Sequence, residues 1–231
     1  MDSDKQFETL VRVLRKFQDE GLLGELILIG SWCLHFYKGH YADEHSFPAV
    51  RTLDVDFLVP GVNRIKKEVD IPRLMRELGF AATFNRSSQL VKYDYGDLRV
   101  EFLLPALGGM EEVAREIKSF HIKAQALRYL TFLSAHTMII SYEGLRIRVP
   151  EPAAFALHKL IISQRRKKEA KAERDLEMAA GLLTILFKEK PQRERVLSIL
   201  EDLPKKWAAK ILSVSKVHFP ALNGAQRRNR A

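Results

Sequence analysis

The chain has 231 residues, of which 46% are hydrophobic and 29% charged, and it carries a net charge of +9. That is enough for a real core in one domain or one and a half, while no apolar run nears the roughly 18 residues of a membrane helix. The acidic start Met1-Asp2-Ser3-Asp4 lacks the regions of a signal peptide, and a single cysteine, Cys33, excludes an intrachain disulfide and a thiolate zinc cluster. The chain therefore reads as cytoplasmic and reduced.

Residues 4–20 place Phe7, Leu10, Val11, Leu14 and Phe17 at helical spacing, with Gly21 and Gly24 after them. Residues 25–29 predict a first core strand, which ends in Gly30-Ser31 and turns into a helix over 31–37. Trp32, Leu34 and Phe36 read there as core and wall. Residues 38–51 predict a loop. His35, His40 and His45 are spaced by five, which fits no common zinc pattern, so they read as loop or surface histidines. Residues 51–59 predict a strand stopped by Pro60-Gly61. Asp70 and Pro72 open a helix over 71–78 that Gly79 closes.

Residues 80–85 and 89–95 read as strands, and Tyr95-Gly96-Asp97 turns the second into a strand over 98–104 as a hairpin. Residues 105–110, with Gly108-Gly109, predict a flexible connection without a Walker lysine, hence no P-loop. Residues 113–117 and 124–133 predict short helices or loops. Residues 137–142 and 145–149 predict a hairpin across Glu143-Gly144. Pro150 and Pro152 then mark a break into helices at 151–166, 169–187, 191–202 and 205–214. The tail from Asn223 is polar and basic and predicts disorder. The chain thus divides into 1–150, a helical region 151–222 and a tail 223–231.

Chemistry concentrates in residues 27–57 and at one later strand. In Leu53-Asp54-Val55-Asp56-Phe57 the alternation of a strand puts Asp54 and Asp56 on one face and the apolar residues on the other. Leu98-Arg99-Val100-Glu101-Phe102 alternates likewise and leaves Glu101 on a polar face. If the two strands lie side by side, three carboxylates converge. Such oxygen ligands suit Mg²⁺, which commonly shares its coordination with substrate phosphates, and two ions can clamp an in-line displacement at phosphorus. Gly30-Ser31 at a helix start offers N–H groups to a phosphate. Taken singly, each feature is ordinary: an Asp-x-Asp on a solvated sheet face, a glycine turn, a lone glutamate.

Together and in this order they resemble the nucleotidyltransferase superfamily that includes DNA polymerase beta. Its signature is an apolar strand, Gly-Gly or Gly-Ser, a helix, Asp-x-Asp/Glu between apolar residues, and a third acid on a later strand. Ile29-Gly30-Ser31, Leu53-Asp54-Val55-Asp56-Phe57 and Val100-Glu101-Phe102 match it position by position. The resemblance covers roughly residues 20–180 and looks closest to small bacterial members such as the AbiEii-like toxin group. The segment between Ser31 and Asp54 is about ten residues longer than the family's usual spacing. It holds His35, His40, His45 and Pro48, and it leaves the acceptor open.

The resemblance implies a mixed α/β nucleotidyltransferase domain, a small mixed sheet backed by helices, followed by a helical domain. It implies transfer of a nucleoside monophosphate from an NTP with two Mg²⁺ or Mn²⁺ ions on Asp54, Asp56 and Glu101, and the triphosphate on Gly30 and Ser31. It further implies that basic residues of the helical region reach the triphosphate; Lys159, Arg165, Arg166 and Lys168 are the candidates. The plain alternative is a solvated helix end at 165–168. A toxin that modifies tRNA or protein, and a non-catalytic nucleotide- or RNA-binding protein on the same fold, are the rival readings.

Charge is divided unevenly. Residues 1–150 hold 20 Lys/Arg against 20 Asp/Glu, whereas 151–231 hold 18 against 9. The excess lies wholly in the last third, which suggests RNA or another polyanion as acceptor, or else a lysine-rich solvated helical face.

Overall fold

The computed structural model describes residues 3–39, 53–61, 65, 67–86, 89–107 and 111–230. The expected loop over 38–51, with His40 and His45, lies outside the described residues except for 38 and 39, and the 105–110 connection, with Gly108-Gly109, lies outside them over 108–110. Two compact units emerge, Met1–Phe36 with Val50–Pro150 and Tyr37–Ala49 with Glu151–Ala231.

The chain of the first unit runs α1 (Ser3–Asp19), a 3-10 turn (Leu23–Glu25), β1 (Ile27–Ile29), α2 (Cys33–Lys38, whose last two residues count with the second unit), β2 (Asp54–Leu58), α3 (Ile71–Glu77), β3 (Ala81–Phe84), β4 (Val91–Tyr95) and β5 (Leu98–Pro105). It continues through β6 (Ala114–Ile117), β7 (Ile122–Leu127), α4 (Leu130–Ala135), β8 (Thr137–Tyr142) and β9 (Leu145–Pro150). The sheet has the order β1-β2-β5-β4-β3. The central pair, β2 and β5, is parallel; β1 and β4 join antiparallel. β4 pairs with the first part of β5, at Leu98 to Val100, and β7 pairs with the last part, at Leu103 to Pro105. β5 thus changes partner partway along its length.

Period-two patterning decides which face is buried. Val55, Phe57, Val100 and Phe102 share one face of β2 and β5 and are buried. Phe57 and Phe102 stack at 5.8 Å, and Phe17 of α1 covers them at 5.2 and 6.3 Å. The α1 stripe is Leu10, Val13, Leu14 and Phe17, all fully buried; Val11, expected in that stripe, is only half-buried. Asp70 caps α3, its carboxylate accepting from the Arg73 N–H at 2.9 Å. The β8–β9 hairpin turns through Glu143 and Gly144, both at positive φ. It is tied to α1 by Arg15–Glu143 at 2.5 Å and by Gln18, which donates to the Gly144 carbonyl.

Residues 114–127 correct the expectation of helices or loops. They form an antiparallel β6–β7 hairpin, turned by His121 at φ 53°. In β7, Ile122, Ala124 and Ala126 are buried and alternate with half-buried Lys123, Gln125 and Leu127. Alanine carries helix propensity, but pairing with β5 overrides it.

The second unit is helical: α5 (Pro152–Ser163), α6 (Glu169–Leu186), α7 (Lys190–Asp202), α8 (Lys205–His218) and α9 (Pro220–Arg230). α5 is central and nearly all of it is buried, with α6, α7 and α8 against it. Glu151, the α5 N-cap residue, takes a bidentate Arg195 of α7 at 2.7 and 2.8 Å. The tail is a second correction. Expected to be disordered from Asn223, it is helix α9, with Leu222, Ala225 and Gln226 buried. Asn223 donates to Ser215 Oγ at 2.7 Å. A stripe spaced 222, 225 and 226 is too short to stand out in a polar, arginine-rich sequence. No helix among the described residues is long and apolar enough to cross a membrane.

Candidate active site

The register places the three acids on one face, with Asp56 and Glu101 side by side. Asp56 of β2 is the Cα partner of Glu101 on β5, and Asp54 is the partner of Arg99. Residues paired in register across parallel strands share a face, so Asp54, Asp56 and Glu101 all lie opposite the Phe57–Phe102 stack. All three are half-buried. The same face turns apolar one step beyond Asp56 and Glu101. Leu58 and Leu103 cluster there with Ile27 and Ile29, roofed by Leu130 and Leu133 of α4. The acids thus sit at the open end of a face whose other end is packed.

The glycine turn abuts these acids. Ile29 pairs with Asp56 across β1 and β2, so Gly30 leaves the strand beside that carboxylate. Gly30 has φ +78°, and a Cβ there would come within 2.6 Å of Asp56 Oδ2. Only glycine satisfies both constraints. The Gly30, Ser31 and Trp32 carbonyls then accept from Cys33, Leu34 and His35 and wind the chain into α2. Cys33 Sγ closes the turn on the Leu28 carbonyl at 3.2 Å. Ser31 is buried. α2 is only six residues long, so any anion here would rely on the N–H groups of the turn more than on a helix dipole. His35 lies against the Phe7 ring at 3.7 Å.

The sequence did not single out the cations on this face. Lys92 of β4 donates to Glu101 Oε1 at 2.5 Å. Arg99 donates to Asp94 Oδ1 at 2.6 Å, and Thr83 donates to Asp94 Oδ2 at 2.6 Å. The Asp94 carboxyl is held below the usual carboxylate range: burial pushes it up, but the bonds from Thr83 and Arg99 outweigh that. The Arg99 guanidinium is pushed up, chiefly by the Asp94 bond, with Asp54 and Glu101 adding to it. The signal was available: Lys92 and Asp94 alternate along β4, and Arg99 precedes Glu101 by two.

Among the described residues no three acidic, histidine or cysteine side chains already stand as a cation cage. Glu101 meets an ammonium instead. The donor set is nonetheless all carboxylate oxygen on one strand face, which is the chemistry a hard divalent cation takes.

The basic candidates of the helical unit divide in two. Lys159 Nζ is 2.6 Å from Asp175 Oδ1, and Arg166 Nε is 2.6 Å from Asp175 Oδ2. The Lys159 and Asp175 side chains are only 8% and 4% exposed. This differs from the expectation that both bases face a triphosphate. α5 is central, so an ammonium at position 159 needs a counterion inside the unit. Burial alone would raise the Asp175 carboxyl, but Lys159 and Arg166 together hold it below its ordinary value. Next to them, His158 is buried, and Nε2 has no hydrogen-bond partner among the described residues. Burial, with Lys159 adding to it, pushes its pKa down to about 3. Arg165 and Lys168 are exposed.

A family model described as nucleotidyltransferase matches residues 8–199. No curated protein matches the chain. Among solved structures, an antigenic nucleotidyltransferase-like protein from Paracoccidioides brasiliensis is similar at TM-score 0.54 and 14% identity. That match covers 98% of this chain and 94% of the other, a likeness of fold. The antibiotic-resistance factor ANT(2'')-Ia aligns at TM-score 0.47 and 11% identity, over 99% and 100% of the two chains. A tRNA nucleotidyltransferase complexed with a primer tRNA and an incoming ATP analog aligns at TM-score 0.26 and 15% identity, over 89% and 60%.

Proposed function

The chain belongs to the nucleotidyltransferase family, and on that premise we propose that it transfers a nucleoside monophosphate from an NTP to an acceptor at the face bearing Asp54, Asp56 and Glu101. The observation that carries this is the register of β2 and β5, which makes Asp56 and Glu101 neighbours with Asp54 beside them. An alternating strand fixed by a packed aromatic face cannot turn these acids away.

Asp54 and Asp56 would hold Mg²⁺ or Mn²⁺, with Glu101 as third ligand or as base toward the acceptor. The bound cation would supply charge neutralisation at the phosphates. Gly30, by lacking a side chain, leaves room for the Asp56 carboxylate and brings the backbone of Gly30 and Ser31 close to where a phosphate would lie. Arg165 and Lys168, exposed at the link between α5 and α6, are the basic residues proposed for the triphosphate. Lys159 and Arg166 already hold Asp175. An RNA or other polyanionic acceptor, met by the basic last third, follows from the charge division. A toxin-type modification of tRNA or protein falls within the same chemistry.

The test is incubation with labelled NTPs, Mg²⁺ and total cell RNA and protein. Label should appear on one acceptor class and fall by on the order of 10²–10³ in Asp56→Ala, as for loss of other electrostatic stabilisers. Undiminished labelling by a folded Asp54→Ala/Asp56→Ala protein would overturn the assignment.

A further inference from the structure

Resting on the assignment of the acid face, we propose that Lys92 is a positioning residue that holds Glu101 in an ammonium-paired state, so that a divalent cation must compete with it for the third carboxylate.

On one side Glu101 is paired with Asp56 of β2, while on the other side of β5 it falls between two partner strands. The β4–β5 ladder ends at Tyr93↔Val100, and the β7–β5 ladder begins at Leu103↔Gln125. Glu101 therefore lies where β5 has left one partner and not yet met the next. Lys92 precedes Tyr93 by one residue and projects onto the acid face, since alternate residues of a strand face opposite ways. Its choice of acid is constrained. Asp94, two residues along the same face of β4, is already taken at both oxygens by Thr83 and Arg99. Glu101 is the acid Lys92 meets, at 2.5 Å, with the two side chains 32% and 21% exposed.

An ammonium and a divalent cation draw on the same carboxylate lone pairs. While Lys92 holds Glu101, the third acid of the face is engaged by an ammonium. The consequence is weaker metal binding before nucleotide arrives. The phosphates bring their own cation ligands and shift the balance towards release of Glu101 from Lys92. Lys92 thereby favours metal recruitment together with nucleotide over metal alone.

The measurement is Mn²⁺ affinity of the full chain without nucleotide, followed by the electron paramagnetic signal of free Mn²⁺ and by calorimetry. Lys92→Met and Lys92→Gln should each bind Mn²⁺ roughly two- to fivefold more tightly, the range a partly exposed ion pair provides. Lys92→Arg, which keeps the cation, should stay near wild type. On a Glu101→Gln background, Lys92→Met should produce no further tightening. Unchanged or weaker Mn²⁺ binding in both Lys92→Met and Lys92→Gln would overturn the proposal. So would tightening that persists on the Glu101→Gln background, which would be a general field effect. Two neutral variants guard against one failing to fold. Asp56→Asn separates this idea from the one beneath it: if Mn²⁺ binding survives that change intact, the acid face is not the metal site and both fall.

Discussion

Gly30 and Asp56 are fitted to each other: a methyl group on residue 30 would stand 2.6 Å from Asp56 Oδ2. The glycine of the turn and the second acid of the Asp-x-Asp strand are thus one structural unit, joined across the Ile29↔Asp56 pair. Gly30→Ala would force two changes. The backbone would hold a side chain at φ +78°, and the Asp56 carboxylate would have to turn aside. The strain should cost about 1–3 kcal/mol, visible in denaturant unfolding. The carboxylate's displacement should lower transfer by more than that loss of stability explains. Wild-type activity in Gly30→Ala would mean the orientation of Asp56 is not critical.

How far this site can be read from the sequence depends on the range of the interaction. The alternation around Asp54 and Asp56, the Asp70 cap and the Glu143-Gly144 turn are local, and local rules place them. That β2 and β5 lie side by side is a pairing across more than forty residues. The family resemblance, not periodicity, carried that expectation. Local rules do not single out Lys92 and Arg99, because a lysine or arginine on a strand's polar face means nothing until its cross-strand partner is known. The β6–β7 hairpin was obscured by alanines that favour helix in isolation. Lys159 shows a related limit of local reading. Its neighbours did look buried, but a buried lysine is as readily a structural ion partner as a ligand for phosphate, and Asp175 lies on another helix.

The ion group in the helical unit gives an ordered prediction. Asp175→Asn leaves Lys159 buried without a counterion and should cost about 3–5 kcal/mol. Lys159→Met leaves Asp175 with Arg166 still on its other oxygen, so its cost should be smaller. Urea denaturation of the two variants tests the order. If Lys159→Met leaves stability unchanged and abolishes NTP binding instead, the lysine serves the triphosphate after all.

His158 predicts a dependence on acid. Its folded pKa is pushed down to about 3 from an ordinary 6.5. Between those values the unfolded chain binds a proton that the folded chain does not. Its contribution to stability is therefore complete above about pH 6.5 and is lost as pH falls towards 3, at about 1.4 kcal/mol per pH unit. Asp175, whose folded pKa is lowered, adds a loss only further down, below the ordinary carboxylate range. His158→Leu should flatten the profile between pH 6 and 4 relative to wild type. Parallel profiles for the two proteins would exclude His158 as the source.

The charge division predicts how an acceptor polyanion would be met. Lys205, Lys206 and Lys210 are exposed on α8, while Ile211 and Ser215 of the same helix are buried. The lysines therefore face away from the core of their unit and can be changed without disturbing it. Removing the tail instead would strip Leu222 and Ala225 from that core, since α9 is packed, and would confuse affinity with folding. If the three lysines contact phosphates of a single strand, the log–log salt slope of binding should shrink by about 0.7 per contact, about 2 in all for the triple Ala variant. NTP binding, measured separately, should not change, because these residues are assigned to affinity for the acceptor and not to transfer. Filter binding of RNA over a salt series decides it. A slope that does not move would take α8 out of the interface. No RNA or DNA binding at low salt, with transfer to a protein or small molecule intact, would remove the polyanion and leave the acid face as the seat of the chemistry.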